Sequence, residues 1–360
     1  MVAGNLKQAE SDLQSVLKID PGEYRALNML GMVKAQQQSN ADAEAIFKQV
    51  IRQKPDFASA HVNLGLLYLQ TSRIDDAVSE FQEALRLAPG RTDAVGPLLN
   101  AWAVQARTAA AGGELEKALS ILQQARKLSP NNPDVLYDFG MVALRMSRFP
   151  GAAEAFRGVL AVRSDDANAL YGLGRAQMSL HKYQDALETF SRYVQHYPRD
   201  ASGHYALGVT LAALQKPSEA TAEFRRSIEI QAVQTESYFQ LGRICLDQED
   251  FPCAADNFNR VLDRDAHHAG ALGGEGRVEF QKKEYSKAAE LLQESITVDA
   301  TVREPHYYLG LTYARMGRAE DSKAELQKAT EIGHAEVEGN RGALKLLDSR
   351  EPSSDTTPKP

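Results

Sequence analysis

Residues 58–91 read ASAHVNLGLLYLQTSRIDDAVSEFQEALRLAPGR. Two apolar runs at helical spacing lie in this stretch: Leu64, Gly65 and Tyr68, then Ala77, Phe81 and Ala84. A short polar turn at residues 71–73 separates them. Gly65 sits inside the first helix, where glycine costs roughly 1 kcal/mol against alanine, so its place needs a packing reason. The simplest is close approach of the second helix, with Ala77 facing the glycine at the crossing and Phe81 filling the next layer of the same face. Pro89 closes the stretch because it cannot continue a helix.

The same register runs along the chain. Alanines corresponding to Ala77 stand at Ala9, Ala43, Ala118, Ala152, Ala186, Ala220, Ala254 and Ala288, and Ser322 closes the series. Every step is 34 residues except Ala77 to Ala118, which is 41. Four residues on come Leu13, Phe47, Leu122, Phe156, Phe190, Phe224, Phe258, Leu292 and Leu326. Glycines matching Gly65 stand at Gly31, Gly140, Gly174, Gly208, Gly242, Gly276 and Gly310, and prolines matching Pro89 at Pro21, Pro55, Pro130 and Pro198. The pattern resembles the tetratricopeptide repeat, with its first-helix glycine, second-helix alanine, following aromatic and terminal proline. That resemblance implies an all-α fold, a right-handed α-solenoid of stacked antiparallel helix pairs. The expected organisation is one array over 4–336: a half repeat at 4–23, then repeats at 24–57, 58–91, 92–132, 133–166, 167–200, 201–234, 235–268, 269–302 and 303–336. A C-terminal capping helix over 337–348 and a disordered Pro/Ser/Thr/Asp-rich tail over 349–360 complete it.

Length alone would divide 360 residues into two or three globular domains; the period replaces that estimate with a quasi-one-dimensional stack. Hydrophobic residues at 43% and charged residues at 25% exclude a chain disordered throughout. No run of about 18 uncharged apolar residues exists, so no membrane span is expected. The net charge of -7 speaks against nucleic acid as a partner. Cys245 and Cys253 are too few for a disulfide scaffold; they read as two small buried or half-buried thiols, although their spacing permits a bond.

Three departures stand out. Residues 4–23 hold only a second helix, with its apolar Ala9, Leu13 and Val16 exposed by the missing partner, so the natural chain is expected to begin upstream. Localisation is then open, cytoplasmic by default because no basic and apolar leader is seen. The 92–132 unit carries seven extra residues near 90–98, read as a tolerated loop insertion before a helix that Gly96 and Pro97 start or kink; Trp102 and Ala106 then take the family's tryptophan and small-residue positions. The first helix of 269–302 holds Gly270, Gly273, Gly274 and Gly276, which makes it the soft point of the array.

By resemblance, the first helix of each pair lines the concave face, where partners bind. Four residues into these helices lie Tyr137, Tyr171, Tyr205, Phe239 and Tyr307, with Gly273 breaking the row; four further on are Arg175, Arg243 and Arg277. Tyr171/Arg175 and Phe239/Arg243 are i, i+4 and share a helix face. Tyr and Arg are enriched at interaction hot spots, and Arg suits the carboxylates of a peptide. Packing of the rings against neighbouring repeats is the competing reading. Asn28, Asn63 and Asn100 offer further bonds to a peptide backbone; Asn28, Met32, Val62 and Leu66 stand at positions comparable to the Lys/Asn carboxylate clamp of some relatives but without its lysines, which argues against a chaperone-tail receptor.

Catalytic chemistry finds no support. No nucleophile elbow, phosphate loop or dinucleotide fingerprint is present. Asp263, Asp265, His267 and His268 form one polar cluster, which reads as turn and cap residues rather than metal ligands. Glu80, Glu83 and Asp185 read as solvated helix faces. The expected function is a non-catalytic scaffold that binds a protein or peptide segment, with no cofactor and no metal. Two alternatives stand beside it: the substrate-recruiting arm of a larger enzyme such as a glycosyltransferase, and a module that self-associates through its exposed terminal helix.

Overall fold

The computed structural model describes residues 6–348, and the backbone alone beyond residue 335. Every regular element among them is a helix. Helix α1 (Leu6–Ile19) precedes nine pairs: α2/α3 (Tyr24–Gln36, Asn40–Gln53), α4/α5 (Ala58–Gln70, Ile74–Leu87), α6/α7 (Thr92–Ala111, Leu115–Leu128), α8/α9 (Pro133–Arg145, Phe149–Val162), α10/α11 (Ala167–Ser179, Tyr183–His196), α12/α13 (Ala201–Ala213, Pro217–Ile230), α14/α15 (Thr235–Asp247, Phe251–Leu262), α16/α17 (Ala269–Gln281, Tyr285–Val298) and α18/α19 (Arg303–Arg315, Ala319–Asp348). The chain falls into two compact units, Met1–Thr189 and Phe190–Pro360, divided within α11, and each is taken by itself. Within each unit a helix packs on its pair partner and on the next pair, and successive first helices touch one another. This is the all-α solenoid of stacked helix pairs expected from the period.

The recurring glycine has the packing reason sought for it, with a different partner. A Cβ built on Gly65 would lie 2.7 Å from a ring carbon of Phe81, and one on Gly31 2.5 Å from Phe47. Gly208 meets Phe224 and Gly242 meets Phe258 in the same way. The aromatic four residues after the alanine fills the glycine's notch, not the alanine itself. Phe47, Phe81, Phe156, Phe224 and Phe258 are accordingly buried almost completely.

The turn inside each pair uses one device. Gln38, Ser72, Ser147, His181, Gln215, Glu249 and Lys283 all take a left-handed backbone, as do Gly113 and Gly317 in the remaining two. At Ser147 the next amide, Arg148 N–H, bonds the Ala143 carbonyl at 2.8 Å and Ser147 N–H bonds Leu144, which satisfies the last carbonyls of α8. Seven of these nine positions carry a Cβ that this conformation disfavours. Ser147→Gly, at an exposed turn, is expected to stabilise the protein by about 1 kcal/mol. A rise in the urea midpoint measures it; an unchanged or lower midpoint contradicts it.

The seven extra residues of 92–132 are helix, not loop. Helix α6 has 20 residues against 13 in α4, and Pro97 lies inside it. The two added turns bury Ala94 and Leu98 in the cluster that holds Phe81 and Trp102. Burial of these two side chains offsets the backbone hydrogen bond that Pro97 removes. Ala106 packs with Ala118 and Leu122, the register expected for it.

Helix α1 packs on α2 with no residue fully buried, and leaves Ile19 89% exposed. Cys245 and Cys253 are joined by a disulfide rather than standing as thiols, because the turn between α14 and α15 brings their Cα atoms to 5.8 Å. The helix expected over 337–348 is not separate: α19 runs unbroken from Ala319 to Asp348. The tail over 349–360 lies outside the described residues.

Candidate partner-binding face

The first helices of the second unit bring three of the expected site residues together. Phe239 and Arg243 on α14 and Arg277 on α16 line a pocket of about 370 Å³. Gly270, Gly273 and Gly274 form the α16 side, Phe258 and Leu246 contribute apolar surface, and Val302, Glu304 and Pro305 close it from the start of α18. The glycines expected to soften α16 are contact points: a Cβ on Gly270 would lie 2.6 Å from Phe239, and one on Gly274 2.5 Å from Phe258. Gly273 is less constrained, with Ser295 Oγ at 3.2 Å and Pro305 Cγ at 3.3 Å.

The two arginines of this pocket differ. Arg243 is exposed, lies 6.0 Å from the Phe239 ring centre and donates a long 3.4 Å bond to Gln240; it makes no ion pair among the described residues. Arg277 is held. It bonds Glu304 at 2.9 Å, approaches Asp247 at 4.0 Å and lies over the Tyr308 ring at 5.1 Å. Its buried Nε–H has no acceptor. Asp247 and Glu304 come from the preceding and following first helices, so spacing within one helix could not reveal them. A second pocket of about 560 Å³ lies on the other side of α14, between it and α12, and shares Arg243 and Asp247.

The aromatic row both packs and remains accessible. Tyr205 lies 5.9 Å from Phe224 and Phe239 6.2 Å from Phe258, ring centre to ring centre, and both are half-buried. Tyr307 is 41% exposed and rests edge-on against Tyr308. In the first unit Tyr137 stands 6.0 Å from Phe156, Tyr171 is half-buried and Arg175 is exposed. A hollow of about 240 Å³ there is lined by Arg107, Asp138, Met141 and Arg145, none of them expected from the sequence. Burial raises the Asp138 carboxyl above its ordinary value, against the pull of Arg107. Asn28 and Asn63 bond each other at 3.0 Å, and Met29, Met32 and Leu66 are exposed beside them.

The polar cluster near 263–268 resolves into caps. His268 Nδ1 accepts from Ala271 N–H at the start of α16, its ring lies tilted 4.8 Å from that of Phe239, and Asp265 accepts from His267 N–H. No group of three or more metal-ligating side chains converges among the described residues. No described helix is long and apolar enough to cross a membrane.

Glu80 departs from the solvated face expected of it. Its Oε2 lies 2.7 Å from Nδ1 of buried His61, whose Nε2 is 3.2 Å from the Pro55 carbonyl. His204 repeats this with Glu223 and Pro198, and His306 with Glu325 and Ala300. The signal was present as three His/Glu pairs 19 residues apart.

Comparison with known proteins accords with this geometry. Models of the tetratricopeptide repeat match residues 1–56, 28–92, 137–201, 175–234, 239–301 and 304–332. The repeat with the lengthened α6 falls between matched stretches. Superkiller protein 3 of Schizosaccharomyces pombe is 25% identical over 169 residues, 45% of this chain and 12% of that protein. Protein O-mannosyl-transferase Tmtc3 of Drosophila melanogaster is 28% identical over 145 residues, 40% of this chain and 15% of that protein. This chain thus spans a small part of either relative. The solved structure of Pseudomonas aeruginosa pilF is similar with a TM-score of 0.51 at 18% identity, over 57% of this chain and 94% of that one, a likeness of fold.

Proposed function

This chain belongs to the tetratricopeptide-repeat family, and we propose that it is a non-catalytic scaffold holding a partner protein or peptide segment on the faces of its first helices. The observation that carries the reading is the open pocket where Phe239 and Arg243 meet Arg277. Its surface is preformed, because the rings rest on repeat phenylalanines and Arg277 is tied to Glu304. A partner therefore orders itself on a wall that loses little freedom of its own. The same role extends to Tyr137, Tyr171 and Arg175 in the first unit and to Tyr205 and Tyr307 in the second, as surfaces taken separately.

Arg243→Ala is expected to weaken partner capture about tenfold, the effect of a moderate hot spot. Photo-crosslinking from cell extract, with Arg175→Ala in parallel, measures it. Equal capture by the wild type and both variants, with unchanged circular dichroism, would overturn the reading. One observation favours a second role. The stretch shared with a protein named as an O-mannosyl-transferase supports a recruiting arm of a larger enzyme, and the encoded sequence upstream of Met1 decides it.

A further inference from the structure

We propose that the pocket over α16 is a socket for an aromatic side chain of the partner, with an adjacent acidic residue of the same segment meeting Arg243. The proposal rests on the binding-face reading above and names the chemistry of what that face takes.

The argument starts from the gap in the row. At one register of the first helices stand Tyr137, Tyr205 and Phe239, and each ring lies about 6 Å from the buried phenylalanine of its own repeat. In α16 that register is Gly273, so the ring is missing. The pocket opens at that place, with Phe239 and Phe258 among its lining and Pro305 opposite. This repeat has Leu292 at the phenylalanine register, so a guest ring there meets Phe239 and Phe258 of the preceding repeat and Pro305 of the following one.

Two polar features narrow the guest. Arg243 is the exposed cation on the rim, without an ion pair among the described residues. Arg277 is neutralised by Glu304 and Asp247, so it does not call for a second acid. Its guanidinium is thus spoken for within the chain, which leaves Arg243 as the cation that a guest's acid can meet. The second pocket across α14 gives the flanking segment a course beyond Arg243.

The test uses the full chain and a fluorescein-labelled heptapeptide, Gly-Ser-Glu-Tyr-Glu-Ser-Gly, read by anisotropy. Two control peptides carry Ala for the Tyr, or Gln for both Glu residues. The tyrosine peptide is expected to bind about tenfold more tightly than either control. Gly273→Phe refills the row from within and is expected to abolish that preference, as Arg243→Gln abolishes the preference for the acidic peptide. The comparison of peptides on wild-type protein decides the matter even where Gly273→Phe fails to fold. Equal affinity for the Tyr and Ala peptides, or no binding of the Tyr peptide, overturns the socket. If partner capture still depends on Arg243 in that case, the face stands and only the socket falls; if capture is also insensitive, the face falls with it.

Discussion

Phe81→Ala is expected to lower stability by about 3–5 kcal/mol and Gly65→Ala by about 1–3, while the double variant loses less than the sum. Removing the ring leaves a cavity at a fully buried site. Adding a methyl at Gly65 drives it to 2.7 Å from that ring, a distance carbon atoms do not hold, so either the ring or the helix must shift. Alanine's better helix propensity, about 1 kcal/mol, offsets only part of this. With both changes the methyl enters the vacated space and the clash disappears. The protein contains a natural form of the compensated pair, because Ala106 stands at the glycine register of a repeat whose phenylalanine register is Leu122, both buried in one cluster. Gly65→Ala/Phe81→Leu should therefore lie closer to wild type than Phe81→Leu and Gly65→Ala added together. Amide hydrogen exchange in α4 and α5 reads the local cost, which suits an array whose repeats open separately. Strict additivity would mean that ring and glycine do not share the notch.

What could be read in advance divides along a physical line. Periodicity reports which residues share a helix face, and that was enough for the two-helix repeat, the helix pairing and the register of Ala106. It does not report which atoms meet across a helix pair. The glycine was therefore matched to the facing alanine, although Phe81 is long enough to reach it. Glu80 was assigned to water, because its partner His61 lies across the turn in the other helix. The extra residues before Leu99 contain a proline and a glycine, which argue for loop; burial of Ala94 and Leu98 outweighs them. In the pocket, Phe239, Arg243 and the break at Gly273 were legible because they repeat or interrupt a row. Asp247 and Glu304 were not, because each meets Arg277 from a different repeat.

The His/Glu pairs make stability depend on pH in a direction that geometry sets. Carbonyl and carboxylate oxygens accept, so the place of His61 between Pro55 O and Glu80 favours the imidazolium, which donates from both ring nitrogens. Burial pushes this imidazole down, but Glu80, the Pro55 carbonyl and more distant Glu83 outweigh it and hold His61 above its ordinary value of 6.5. A raised folded value means that the contribution is complete below about pH 6.5 and is lost as pH rises through it. In the His306 pair, burial raises the Glu325 carboxyl, yet His306 and Lys328 carry it below its ordinary 4.5. That contribution is complete above pH 4.5 and is lost as pH falls through the lowered value. The His61 contribution is therefore fullest below about pH 6.5, and that of Glu325 above about pH 4.5. Glu80→Ala, which leaves a buried donor unpaired, is expected to cost about 2 kcal/mol near pH 6. Glu80→Gln keeps an acceptor of the same shape without the charge, so it should lose less there and converge on wild type as pH rises toward 9. Urea midpoints of wild type and Glu80→Gln across that range isolate this clip from the other titrating groups. A difference that stays constant with pH would show that His61 is neutral in the folded chain.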